Sequence, residues 1–307
     1  GTIVQKVNDT SGRSVESLQE MALSKNVVES SVMFEKIPSQ YLDINALNNN
    51  EPEEIPTVFS APVTDFKIIP STADDKIEKK YYDHDLLATD AIIDLYDTNI
   101  DISKISKVLS MGMLGKKKNR KLVPTKWSIS AADDIISRHL INKIRDNQIL
   151  DNYLVFDFNH LANYYSVILI PDPVWSFEMI ESWIDANGRT HIGSDCELGK
   201  KIDHYPTIAG AYFAGRLSVV EYLFKIRRKA SVLIFREIHP EYFLSLGVWQ
   251  IREGIRECLK SKGKAFEVFD SALRYATSKT SLSMTEWMRN SSLIKMRKQK
   301  RISDYID

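Results

Sequence analysis

The 307-residue sequence predicts an α+β protein: one main globular domain with a mixed or antiparallel sheet flanked by helices, plus a mobile C-terminal tail. Three observations carry this. Helix-period and strand-period stretches interleave without a regular βαβ rhythm. Apolar residues make up 43% and charged residues 27%, an ordinary balance for a folded chain long enough to bury its own core. The last stretch is basic, with little to bury.

Taken in order, a helical stretch covers Ser14 to Leu23 and a strand-like run follows from Val27 to Phe34. Asn48-Asn49-Asn50-Glu51-Pro52-Glu53-Glu54 reads as a surface loop or linker. A short strand is expected from Asp65 to Ile69, closed by Pro70, which makes residues 1–73 an N-terminal helix and strand segment with its linker. From Asp74 the pattern turns helical: Leu86, Ala91, Ile92, Leu95 and Tyr96 recur at helical spacing, and Ile102, Ile105, Val108 and Leu109 recur after a break. Gly112 to Pro124 is a Gly- and Lys-rich connection, and Ser128 to Asp134 reads as a capped entry into a helix reaching about Arg145.

Tyr153 to Phe158 and Tyr164 to Ile170 then read as a hairpin around Asn159 to Asn163, with a third strand from Trp175 to Trp183. A Gly-containing connection is expected from Asn187 to Gly199, a long helix from Ile208 to Arg228, and a buried strand from Ser231 to Ile238, stopped by Pro240. Helices follow at Val248 to Lys260 and Ala265 to Tyr275. The main domain is bounded at 74–290 and the basic tail at 291–307. No internal repeat is found.

Charge and cysteine usage narrow the function. Lys plus Arg equals Asp plus Glu, 41 against 41, so contact with nucleic acid must come from local clusters. Cys196 and Cys258 have no CxxC spacing, which argues against a disulfide framework or a cysteine-ligated zinc and suits a reducing, cytoplasmic location. The six histidines show neither HxxxH nor HxH spacing, so no histidine metal site is expected. The apolar runs are far shorter than a membrane span and no signal-peptide pattern opens the chain, so no membrane partner is expected. Gly1 in place of Met suggests that an N-terminal piece has been trimmed. Walker A and GxSxG patterns do not occur.

The terminal Gln299-Lys300-Arg301-Ile302-Ser303-Asp304-Tyr305-Ile306 reads as a sliding-clamp-binding peptide. In a 3₁₀ turn residues i and i+3 eclipse, so Ile302 and Tyr305 project together into a hydrophobic pocket, with the Gln299 amide one turn upstream at its rim. Tyr305 has the large area and polar tip of a binding anchor. Lys295, Arg297, Lys298, Lys300 and Arg301 suit an acidic partner or DNA phosphates. Such a peptide points to DNA repair or replication.

Lys116, Lys117, Lys118, Arg120 and Lys121, followed by Lys126 and Trp127, combine cations and an aromatic on a flexible connection, as phosphate contact with base stacking requires. A second cluster, Lys225 to Lys229, is explained by the dipole at a helix C-terminus. The catalytic signal is thin: Asp133 and Asp134 near a helix start, Glu221 and Glu237 are the carboxylates on offer. Arg236, Trp249, Gln250 and Arg252 are candidates for a polar cleft, or for ion pairs that fix a strand to a helix.

Leu114-Gly115-Lys116-Lys117-Lys118-Asn119-Arg120-Lys121-Leu122-Val123-Pro124-Thr125-Lys126-Trp127-Ser128-Ile129-Ser130-Ala131-Ala132-Asp133-Asp134 closely resembles the signature of the archaeal Nre family. Trp175-Ser176-Phe177-Glu178, the run from Arg227 to Leu233, and Arg236-Glu237-Ile238-His239-Pro240-Glu241-Tyr242 continuing through Leu246 to Glu253 agree with it. The resemblance implies a DNA-damage-response role and binding of the archaeal clamp PCNA through the terminal motif. Family members commonly carry an N-terminal four-cysteine zinc site and a Gly-Arg-Tyr-Gly-rich segment. Neither occurs in these residues, so zinc binding is not carried over.

The leading expectation is therefore a clamp-recruited repair factor whose body contacts DNA or another repair protein. One alternative is a nuclease or phosphoesterase in which Asp133, Asp134, Glu221 or Glu237 hold Mg²⁺. The other is a nucleotide pocket formed by Arg120, Arg236, Arg252 and Trp249.

Overall fold

The computed structural model describes residues 13–26, 28–35, 63–69, 71–242 and 246–299. The linker expected at 48–54, and Ile302, Tyr305 and Ile306, lie outside the described residues. The chain divides into two units, residues 1–136 with 244–247, and residues 137–243 with 248–307. The boundary expected after residue 73 falls inside the first.

In the first unit α1 (Arg13–Leu23) packs on α4 (Ile102–Ser110), and Gln19 Nε2 donates to Met111 O at 3.0 Å. β1 (Ser30–Phe34) pairs antiparallel with β2 (Val63–Ile68). Asp74 caps α2 (Asp75–Tyr82) and Asp101 caps α4, each accepting from the backbone N–H two residues on. Of the residues expected at helical spacing, Ala91, Ile92 and Leu95 of α3 (Ala88–Asp97) and Ile102, Ile105 and Val108 of α4 are buried, while Leu86, Tyr96 and Leu109 are half-buried.

The helix α5 (Thr125–Ile144) starts three residues before Ser128. Pro124 has no N–H to lose, so the helix forms directly behind it, with Trp127 N and Ser128 N donating to Pro124 O. Asp133 and Asp134 consequently sit two turns inside the helix, not in its first turn.

The second unit carries a six-stranded sheet of order β10-β4-β5-β9-β6-β7, antiparallel throughout except where β6 runs parallel to β9. These are β4 (Tyr153–His160), β5 (Asn163–Ile170), β6 (Ser176–Ile184), β7 (Thr190–Leu198), β9 (Ser231–Ile238) and β10 (Lys264–Phe266). The short β3 (Gln148–Ile149) and β8 (Arg228–Lys229) pair separately, in parallel. The β4–β5 hairpin turns through Leu161 and Ala162, both with positive φ, 50° and 54°. Neither residue favours that region. The turn is held because Asn163 Nδ2 donates to Leu161 O and His239 N donates to Ala162 O.

Strand alternation gives the sheet two buried faces. Met179, Ile234 and Tyr165 share the face covered by α6 (Gly210–Ile226) and α7 (Val248–Lys260). Close approach needs glycine there: a Cβ on Gly215 would lie 2.8 Å from Met179 Sδ, and one on Gly254 would lie 2.8 Å from the Tyr165 ring. Val155, Ile168, Ile180, Leu233 and Phe235 share the other face. It packs on Leu273 of α8 (Phe269–Thr277), Trp287 of α9 (Met284–Asn290) and Leu293 of α10 (Ser292–Lys298).

Three elements differ from expectation. Residues 190–198 are a strand, hidden in the sequence because Asp195 and Glu197 occupy inward positions as hydrogen-bonding partners and spoil the apolar alternation. Residues 264–266 form an edge strand on β4, so α8 starts later than Ala265. The first part of the expected tail, from Ser291 to Lys298, is a capped and packed helix. Leu293 and Ile294 enter the core, and Glu178 of β6 accepts from Ser291 Oγ, Ser292 N and Leu293 N. Burial pushes the Glu178 carboxyl above its usual range, against the pull of those donors. Among the described residues no helix is long and apolar enough to cross a membrane.

Candidate nucleic-acid interface

Four connections converge at one end of the second unit's sheet. Gly199, with φ at 70°, turns the chain out of β7 and delivers Lys200 and Lys201 to the surface; its N–H donates to Trp175 O. The segment from Asp172 to Trp175 is tied down because Val174 N donates to Asp172 Oδ1 and Ser231 Oγ donates to Val174 O. The β3–β8 pairing carries Lys229, whose Nζ donates to Arg145 O at 3.0 Å, beside the C-terminal end of α5. Between them lies a cleft of about 520 Å³.

Five cations line it: Arg138, Arg145, Lys200, Lys201 and Lys229. Its two carboxylates, Asp172 and Glu197, are each engaged by an arginine that does not line the cleft. Arg297 Nη1 meets Asp172 Oδ2 at 2.9 Å, and Arg216 Nη1 meets Glu197 Oε2 at 3.0 Å. The wall therefore presents positive charge with its negative charges compensated from behind. Arg216 is wholly buried, over the Tyr212 and Phe213 rings, and its Nε donates to Ser137 Oγ. Burial, and then the nearby Glu197 charge, hold the Tyr212 hydroxyl far above its usual range.

Trp175 forms the aromatic wall. Its Nε1 donates to Glu197 Oε1 at 2.7 Å, and its indole lies parallel to the Phe177 ring at 6.3 Å between centroids. The ring is thus positioned by a buried chain running from Ser137 through Arg216 and Glu197.

The other expected sites fall elsewhere. On the first unit's connection, Lys117, Lys118 and Lys121 are exposed and Lys116 is half-buried, with one 3₁₀ turn over Lys117–Asn119. Arg120 is turned inward. Its guanidinium donates to the carbonyls of Gly115, Tyr81 and Asp83 and lies over the Tyr81 ring, so it fastens the loop. Lys126 and Trp127 are exposed in the first turn of α5.

Of the four polar-cleft candidates, Arg236 and Gln250 meet through Tyr165. Arg236 lies over its ring and Gln250 hydrogen-bonds its hydroxyl. Arg236, Gln250 and Arg252 are all buried while Trp249 is 46% exposed, so three of the four face the interior. The expected nucleotide pocket meets the same obstacle, since the Arg120 and Arg236 guanidinia are both turned to internal partners.

The carboxylate candidates are likewise engaged in structure. Glu237 accepts from Ser281 N and Leu282 N, holding the α8–α9 connection, and Glu221 makes a two-point contact with Arg256. They lie on opposite sides of the sheet. Asp133 is buried mid-helix with Asp134 beside it. Among the described residues no group of three His, Cys, Asp or Glu side chains could hold a metal ion.

Sequence reading missed the cleft. Its local signals were Lys200-Lys201 behind Gly199 and Lys229 at the end of the Lys225 to Lys229 cluster, which a helix dipole explains, while Arg138, Arg145 and Trp175 join them only through the fold.

Fold and cleft together define an α+β protein whose sheet-bearing unit carries a built, positively charged cleft. The chain belongs to the archaeal Nre family. Residues 1–187 match "Archaeal Nre, N-terminal" and residues 197–305 match "Archaeal Nre, C-terminal". It is 34% identical to "DNA repair protein NreB" of Archaeoglobus fulgidus over 96% of this chain and 74% of that one. It is 41% identical to "DNA repair protein NreA" of the same organism over 66% of this chain and 52% of that one. To "DNA repair protein NreA" of Haloferax volcanii it is 30% identical over 95% and 71%. No solved structure matches the chain.

Proposed function

We propose that this protein is a DNA repair factor whose second unit contacts DNA through the cationic cleft and which is recruited to the sliding clamp PCNA by Gln299, Ile302, Tyr305 and Ile306. The observation that carries the DNA contact is the set of five wall cations with both wall carboxylates compensated from outside. The names of the three relatives support the repair role. For the clamp peptide, the support is its sequence pattern and the exposed position of Gln299 directly behind α10.

The DNA contact is tested by salt-dependent binding to a duplex. Neutralising two phosphate-contacting lysines, Lys200→Ala with Lys201→Ala, should lower the slope of log affinity against log salt by about 1.8. An unchanged slope rejects the cleft as the contact. The clamp contact is tested by titrating PCNA with the peptide 295–307. Ile302→Ala and Tyr305→Ala should each cost about 2 kcal/mol. Equal binding by the wild-type and doubly substituted peptides would remove this half of the reading.

A further inference from the structure

The cleft has features that a contact to duplex backbone does not require. Six apolar residues line it alongside the cations: Ile141, Ile144, Pro173, Val174, Trp175 and Ala230. Phosphates gain nothing from apolar surface, whereas a base does. The volume, about 520 Å³, falls in the range of sites that enclose a small ligand, roughly 300–1,000 Å³. A double helix is convex and keeps its bases stacked inside, so it can lie across the rim but cannot put a base into the floor. The aromatic wall is held in place before any ligand arrives, through Trp175 Nε1 to Glu197, Glu197 to Arg216, and Arg216 to Ser137. Both charged members of that chain are buried.

We propose that the cleft takes an unpaired nucleotide of single-stranded DNA, its base against Trp175 and the apolar floor and its phosphates on Lys200, Lys201 and Arg145. This rests on the reading of the cleft as the DNA contact and sharpens the substrate from DNA in general to an unstacked base with its flanking phosphates.

Anisotropy titrations of the full chain against three labelled ligands test it: a single-stranded oligonucleotide, an abasic strand of the same length, and a blunt duplex. The abasic strand keeps the phosphates and lacks the bases. The natural strand should bind about tenfold tighter than the abasic one, as one stacked base provides. Trp175→Ala should erase that preference and Trp175→Phe should keep most of it. Because Trp175→Ala removes a packed ring, Val174→Glu supplies a second variant; Val174 is exposed at the mouth, and a carboxylate there should also erase the preference.

Equal binding of natural and abasic strands by the wild type overturns the proposal, as does an undiminished preference in a folded Val174→Glu variant. If Lys200→Ala with Lys201→Ala weakens all three ligands equally while the preference is missing, the cleft still binds DNA and only the nucleotide is refuted. If the lysine variant weakens none of them, both readings fall.

Discussion

Asn163 Oδ1 accepts two hydrogen bonds from Arg236, from Nε at 2.9 Å and from Nη2 at 2.6 Å, joining the hairpin turn to the central strand β9. The remaining Nη1 reaches Glu181 Oε1 on β6 at 2.5 Å, so three strands are crosslinked by one buried guanidinium. Removing the cation alone leaves a buried carboxylate without its partner. Arg236→Met should cost about 3–5 kcal/mol in urea unfolding, and the double variant Arg236→Met with Glu181→Met should recover much of it.

Gly254 sits against the ring of Tyr165, where an added methyl has no space. Gly254→Ala is expected to destabilise by about 1–3 kcal/mol although alanine favours helices. A thermal melt should show Tm falling by several degrees. A rise would mean that Tyr165 can move.

Asp157 anchors α8, accepting from Tyr275 Oη at 2.8 Å and from Lys279 Nζ at 2.5 Å. Burial works to raise its pKa, but the two hydrogen bonds and the charges of Lys279 and Lys264 together outweigh it and the carboxyl lies below its ordinary value. A depressed carboxyl contributes stability above the unfolded pKa of about 3.9 and loses it as pH falls through the folded value. Asp157→Asn should therefore be less stable than wild type at neutral pH, and the gap should close as the solution is acidified below about pH 4. A gap independent of pH would show that the charge plays no part.

Arg120 fastens the basic connection while its neighbouring lysines Lys117, Lys118 and Lys121 stay exposed. Lysine cannot span the three carbonyls that the guanidinium reaches, so Arg120→Lys should cost about 1–3 kcal/mol, read as faster amide exchange in α2. Lys117→Ala with Lys118→Ala touches exposed side chains only and should leave that exchange within about 0.5 kcal/mol of wild type.

Elements with a clean period were legible in the sequence. β9 and α7 fall on the expected residues, and the hairpin was centred correctly, because their apolar positions follow one face or both. Elements built on buried charge were not. β7 carries Asp195 and Glu197 inward, and α10 begins on a carboxylate contributed by β6, more than a hundred residues earlier in the chain. Local composition cannot report such partners. The cleft failed to show because its cations come from α5, β8 and the segment behind β7, and their convergence is set by the fold even where, as at Lys225 to Lys229, the charge is locally dense.

Arg297 and Arg216 make the cleft positive without lining it, which separates the residues that set its polarity from those a ligand would touch. Arg297 lies on α10, two residues before Gln299. A tug on the C-terminus that pulled Arg297 off Asp172 would return a negative charge to the wall. The charge of the wall would then change with no lining residue altered.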